Sequence, residues 1–134
     1  MTGELSAYPV IACVPFALVV FINLLATQWP DRLADSAVGK RTLAVRLPPS
    51  SLRRLYVLSC LAAVGIFIVL WYPLELIPTV VVVVSLPAAP VLVWGWGVFT
   101  EQESPSPTVT AMVLFLFGHI FGWLVAAGVP HSVL

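Results

Sequence analysis

The 134-residue sequence is 60% hydrophobic and 9% charged, and its six basic residues balance six acidic ones. Soluble domains carry about 25% charged residues, so this composition excludes an ordinary water-soluble protein. With zero net charge and no basic arm, the chain also has no electrostatic basis for binding nucleic acid.

Four segments without Asp, Glu, Lys or Arg divide the chain, at residues 5–30, 55–74, 76–100 and 104–134. Each can supply the roughly 20 apolar residues that a helix needs to cross a bilayer. Because backbone groups in lipid must pair within their own segment, the spans should be helices. The sequence therefore predicts an all-α membrane protein with four transmembrane helices, at about residues 8–28, 51–72, 78–98 and 108–128.

Prolines mark the boundary between the first two spans. Pro30 is well placed as the first residue of a helical segment, which predicts a short extension of the first span over residues 31–38. A Pro-Pro pair at 48–49 ends the loop that follows, and Ser50 or Ser51 can then cap the second helix.

Prolines and glycines also mark the last two spans. Pro87 and Pro90 should kink or break the third helix near its middle. In the fourth span, Gly118 and Gly122 form a Gly-x-x-x-Gly pattern, which allows a neighbouring helix to approach closely.

Orientation follows from the basic residues, all of which lie between the first two spans. They are Arg32, Lys40, Arg41, Arg46, Arg53 and Arg54. The positive-inside rule predicts that this loop, residues 29–50 with its basic flank to Arg54, is cytoplasmic. The loop that carries Glu101 and Glu103 would lie on the same side, and Glu75 and both termini would face outward.

Two carboxylates in this loop are spaced for a metal site. Asp31 and Asp35 are four residues apart, so on a helix they share a face. Such a pair can hold Mg²⁺ together with phosphate oxygens and water, and Lys40 and Arg41 place cations nearby. A charged loop is also what the positive-inside rule alone produces, so the charges by themselves leave both interpretations open.

The residue order is more specific than the charge. Residues 31–47 read Asp-x-x-x-Asp-x-x-x-Gly-Lys-Arg-Thr-Leu-Ala-Val-Arg-Leu. This closely resembles the second aspartate-rich motif of the UbiA-type intramembrane prenyltransferases, nearest to the branch of the 1,4-dihydroxy-2-naphthoate polyprenyltransferases of quinone biosynthesis. In that family the motif ends the sixth of nine helices, and three helices follow. The resemblance therefore implies that this chain corresponds to the C-terminal part of a nine-helix bundle.

The resemblance implies Mg²⁺-dependent transfer of an isoprenyl group from its diphosphate to an aromatic or other lipophilic acceptor within the membrane. Asp31 and Asp35 would be the catalytic, metal-binding residues. Lys40 and Arg41, with Arg46 as a further candidate, would bind the diphosphate of the prenyl substrate.

Departures from the family pattern leave alternatives open. Gln28 stands where many relatives have Glu, and Pro48 replaces a usual Gly. The family's first aspartate-rich motif has no match here, which implies that activity needs a missing N-terminal portion or a split partner chain. A non-catalytic family remnant that binds membrane lipids, or a small transporter component with a proline-broken helix, are the other hypotheses.

Overall fold

The computed structural model describes residues 7–128, and the secondary structure of this part is helical, without strands. The helices are α1 (Tyr8–Ala12), α2 (Val14–Ala37), α3 (Leu43–Arg46), α4 (Pro49–Trp71), α5 (Thr79–Ser85), α6 (Ala88–Val98) and α7 (Ser106–Gly128). Four segments are long and apolar enough to cross a membrane: α1–α2, α4, α5–α6 and α7. The predicted fold class is confirmed. The expected outward position of the termini concerns residues 1–6 and 129–134, which lie outside the described part.

The first long helix extends well past the predicted end of its span at Gln28. Helix α2 continues to Ala37, so residues 31–37 are helical, but Pro30 lies inside the helix instead of at the start of a new one. Proline removes one N–H donor from the helix interior, and transmembrane helices tolerate this loss when neighbouring groups supply other bonds. The carbonyl that Pro30 leaves without a helical donor is that of Ala26, and the Arg32 guanidinium donates to a different carbonyl nearby, that of Trp29, at 2.6 Å.

The prediction that Ser50 or Ser51 caps the second span was wrong. Helix α4 begins at Pro49, and its N-cap residue is Pro48, in an extended conformation without a side-chain capping bond. Proline suits the first helical position, because its fixed φ is already helical and it has no N–H to satisfy. The two serines therefore lie within the first turn.

The third span is broken, as its prolines predict. Helix α5 ends at Ser85 and α6 begins at Ala88. Two short-range backbone bonds cover the break: the Leu86 N–H donates to the Val83 carbonyl at 3.3 Å, and the Ala89 N–H donates to the Leu86 carbonyl at 3.0 Å. The backbone thus retains internal hydrogen bonds where proline interrupts the helical ladder.

Close helix packing occurs where the fourth span meets the first half of the third. A Cβ atom on Gly118 would collide with the Val84 carbonyl, and one on Gly122 would lie 2.6 Å from the Val81 Cα. The backbones of α7 and α5 are therefore in direct contact at both glycines. The Gly-x-x-x-Gly pattern serves packing within the chain.

A buried polar contact joins the second span to the second half of the third. Tyr56 of α4 is fully buried, and its hydroxyl donates to the Leu92 carbonyl of α6 at 2.9 Å. A Cβ on Gly95 would lie only 2.6 Å from this hydroxyl, so a glycine at this position leaves the space that the phenol group occupies.

The glycine contact yields a stability prediction. Gly118→Ala should lower the free energy of unfolding by about 1–3 kcal/mol, because the added methyl group forces the α5 and α7 backbones apart. Gly65→Ala in α4 is the matched control, since its Cβ meets nothing within 4 Å. Unfolding in detergent micelles, followed by circular dichroism, would measure both. Equal stability of the two variants would contradict the proposed close packing.

Candidate functional site

Two loops meet at one end of the bundle, and the structure brings most of the charges together there. Arg32 of α2 lies 3.5 Å from Glu103, and Arg53 of α4 lies 3.6 Å from Glu101. Arg53 also donates to the Phe99 carbonyl. We call this region, formed by residues 28–54 and 99–105, the charged end. The Arg32–Glu103 and Arg53–Glu101 ion pairs tie α2 and α4 to the loop before α7.

The two aspartates lie in the last turns of α2 and differ in exposure. Asp31 is exposed, whereas Asp35 is buried, with 9% of its surface accessible. The Lys40 ammonium lies 3.0 Å from Oδ1 of Asp35. A buried carboxylate needs a charged partner or hydrogen-bond donors, and Lys40 supplies both to Asp35. The structure thus brings Asp35 and Lys40 together, and it presents Asp31 to solvent one turn earlier.

The end of α2 places Lys40 beside Asp35. Gly39 has φ of +75°, a left-handed conformation that glycine adopts without steric cost. The Gly39 N–H donates to the Ser36 carbonyl at 3.1 Å, and the Lys40 N–H donates to the Asp35 carbonyl at 2.9 Å. This pair of bonds is a Schellman motif. It folds the chain back on the helix end, so that Lys40 and Asp35 are linked through both backbone and side chain.

Gln28 orders the segment that follows. Its Oε1 accepts a hydrogen bond from the Leu43 N–H at 3.2 Å, at the first residue of α3. Gln28 precedes Asp31 by three residues and Asp35 by seven, so all three side chains lie on one face of α2. Sequence reasoning treated Gln28 only as a lost carboxylate and missed its role in holding α3. Its spacing from Asp31 indicated the shared helix face, but no signal in the sequence pointed to the contact with α3.

The remaining cations of the motif are available to a ligand. Arg41 and Arg46 are exposed, and neither has a carboxylate within 4 Å in the part of the chain that the structure describes. Arg46 ends α3, which packs against the charged end of α2. Arg32 and Arg53 are engaged in ion pairs. Arg32 and Arg53 therefore hold the loops together, whereas an anion can approach Arg41 and Arg46.

The donor set suits a metal ion only in part. Among residues 7–128, no group of three or more His, Cys, Asp or Glu side chains is placed to hold one. Asp31 and Asp35 offer two carboxylates one turn apart. Mg²⁺ often binds through one or two carboxylates, with substrate phosphates and water completing its shell. The residues present fit a magnesium ion that arrives with a phosphorylated ligand.

An apolar cavity of about 270 Å³ lies between α2, α4, the two halves of the third span and α7, and it opens to the outer surface of the bundle, where Val64 and Leu86 of its wall are exposed. Val19, Phe67, Leu92 and Phe115 contribute to its wall, and Ser85 adds a hydroxyl group. The Ser85 Oγ is buried and has no hydrogen-bond partner in the described part. The cavity can hold hydrocarbon away from water.

Comparison with known proteins gives one finding. The family model described as the UbiA prenyltransferase family matches residues 1–119, which is most of the chain. No curated protein and no solved structure matches it significantly.

The turn at Gly39 can be tested by substitution. Gly39→Ala should lower the free energy of unfolding by about 1–2 kcal/mol, because a side chain is strained in the left-handed conformation. Gly39→Asn should cost less, since asparagine tolerates this conformation. A Cβ at Gly39 meets no atom within 4 Å, and the same holds at Gly97, which has no positive φ. Gly97→Ala is therefore the control, and a loss equal to that of Gly39→Ala in thermal unfolding would refute the backbone explanation.

Proposed function

Because this chain belongs to the UbiA prenyltransferase family, which implies an intramembrane prenyltransferase kind of function, we propose that it takes part in Mg²⁺-dependent transfer of an isoprenyl group from its diphosphate to an aromatic acceptor. The observation that supports this most directly is the charged end. Two carboxylates on one helix face, an ordered lysine turn and two uncommitted arginines lie together at the end of four apolar helices.

The basic residues would bind the leaving group. A diphosphate carries several negative charges, and charge-assisted hydrogen bonds from fixed cations stabilise it best. Arg41 and Arg46 are exposed without carboxylate partners in the described region, so each can turn toward phosphate oxygens. Lys40 is two-thirds exposed despite its bond to Asp35. It can therefore exchange its carboxylate partner for a phosphate oxygen when the substrate binds.

The two aspartates would hold the metal. Asp31 and Asp35 are the only Asp residues in the sequence. When bound there, Mg²⁺ would offset the charge of the diphosphate. In the described structure the Lys40 ammonium lies 3.0 Å from Oδ1 of Asp35 and holds this carboxylate in place. We therefore assign Lys40 a second role, which is to hold the Asp35 carboxylate ready before substrate arrives.

Transfer of the prenyl group would proceed through separation of charge in a site that excludes water. Cleavage of the carbon–oxygen bond leaves the electron pair on the diphosphate and gives an allylic cation. A ring carbon of the acceptor attacks the cation, and the ring then releases a proton to solvent. The apolar helices, with cavities such as the one beside Phe67 and Phe115, would shelter the prenyl chain and exclude water that could capture the cation.

One aspartate pair is half of the metal cluster implied by the resemblance. With only Asp31 and Asp35 present, the proposal includes a second set of carboxylates from an N-terminal portion or a separate partner chain. It also places the charged end on the cytoplasmic side, because all six Lys and Arg residues lie there. The acceptor proposed is a dihydroxynaphthoate-like ring, on the strength of the residues after Asp35.

Binding tests the metal assignment without requiring complete activity. The chain in nanodiscs should bind farnesyl thiodiphosphate, a slowly reacting substrate analogue, more tightly when Mg²⁺ is present. Asp31→Asn and Asp35→Asn should each weaken this Mg²⁺-dependent binding about tenfold or more, since each removes a charged ligand.

Glu75→Gln is the control for that experiment, because it removes one negative charge from the loop between α4 and α5, away from the charged end. With a partner that carries the other motif, the same Asp→Asn variants should abolish prenyl transfer. Wild-type Mg²⁺ dependence in both variants would rule out the metal assignment.

A substitution at Gln28 can add a possible metal ligand instead of removing one. Gln28→Glu adds a third carboxylate to the face that carries Asp31 and Asp35, and it should tighten Mg²⁺-dependent analogue binding severalfold, because another charged oxygen ligand is available. The new carboxylate can still accept the hydrogen bond from Leu43. Ala37→Glu adds the same charge half a turn around α2 from position 28, and it should have little effect. Equal gains in the two variants would indicate a general charge effect instead of a metal ligand.

A further inference from the structure

A groove runs along the outside of the bundle between α4 and α6. Its volume is about 440 Å³, in the range of small-molecule binding pockets. Its walls include Val57, Leu61 and Val64 from α4, and Ala89, Val93 and Trp96 from α6. At its floor the two helices are joined by the hydrogen bond from Tyr56 to Leu92. Above this bond the side chains of the two helices leave an open apolar channel.

The groove opens at the charged end. A shallower recess of about 350 Å³ is lined by Arg53, Arg54, Val57, Leu58 and Trp96. Two of these residues, Val57 and Trp96, also line the groove. The recess and the groove therefore form one continuous surface, basic at one end and apolar along the rest.

The recess forms the mouth of the groove, and its two arginines, Arg53 and Arg54, make different contacts. Arg53 is held by Glu101 and the Phe99 carbonyl, and its guanidinium lies 5.2 Å from the ring centre of Trp96. Arg54 is exposed and has no carboxylate within 4 Å in the described part of the chain. The mouth thus carries one positive charge that no described acidic group balances, directly above hydrocarbon-lined walls.

We propose that this surface binds an anionic glycerophospholipid of the surrounding bilayer, with the headgroup phosphate on Arg54 and one acyl chain in the groove. Both walls belong to segments long and apolar enough to span a membrane, so an occupant of the groove must present hydrocarbon to them. Tryptophan is enriched at the level of lipid headgroups, which suits Trp96 at the junction. Basic residues between transmembrane helices attract anionic lipids, and charge complementarity with Arg54 selects them over neutral ones.

Native mass spectrometry of the delipidated full chain, titrated with phosphatidylglycerol or phosphatidylcholine, tests the proposal. The wild type should bind one phosphatidylglycerol in preference to phosphatidylcholine. Arg54→Gln should weaken phosphatidylglycerol binding roughly fivefold, the value of one basic residue near an anionic surface. Arg54→Lys keeps the positive charge at the same exposed position and should retain the preference for phosphatidylglycerol.

A second variant separates acyl-chain binding from headgroup attraction. Val93→Trp fills the groove at an exposed position, so it should weaken phosphatidylglycerol binding while leaving Arg54 intact. Val83→Trp, also exposed but on α5 and not in the groove wall, is its control and should bind as the wild type does.

The proposal is overturned if phosphatidylcholine binds equally well, if Arg54→Gln or Val93→Trp binds like the wild type, or if a control variant loses as much affinity. Displacement of the lipid by farnesyl diphosphate, or a lipid-free dimer of the chain, would identify a different occupant and would also overturn it. None of these measurements depends on Asp31, Asp35 or prenyl transfer.

Discussion

A backbone N–H or C=O group inside a bilayer has no water to bind, so it must find a partner within the protein. This constraint explains the helical fold of the chain and also its irregular places. Around Pro87, short-range bonds from Leu86 and Ala89 cover the interruption of the third span. Around Pro30, helix α2 continues without a break and reaches the charged end as one rigid element. The position of Asp31 and Asp35 follows from that continuity.

The same constraint moves charge out of the middle of the spans and concentrates it in helix ends and connections, where it acquires distinct roles. Arg32 and Arg53 bind Glu103 and Glu101 and so hold the two loops of the charged end together. The turn at Gly39 places Lys40 on Asp35. Cations without a described partner then remain for ligands, and they face two different surfaces: the prenyltransferase motif and the lipid-facing groove beside Arg54.

Much of this could be predicted from the sequence. Uncharged runs of more than about 20 residues indicate transmembrane helices almost regardless of context, and the order of residues after Asp35 indicated the family that the comparison found. Helix caps and individual hydrogen bonds were harder to predict from the sequence. The capping roles expected of Ser50 and Ser51 were wrong, because Pro49 can begin a helix without a side-chain cap. The hydrogen bond from Leu43 to Gln28 joins residues 15 apart in the chain, and no local pattern predicts such a contact.

The sequence by itself therefore determined the helical class, the number of spans and the family, since hydrophobic length and motif order are properties of contiguous residues. It also supplied the residues proposed for the candidate site. Tertiary structure decided which charges are engaged and which are available. Arg53 and Arg54 are neighbours in the chain, yet only Arg53 reaches Glu101 and the Phe99 carbonyl. The reason is geometric: successive residues on a helix point about 100° apart, so the packing of α4 against its neighbours turns one arginine inward and leaves the other exposed.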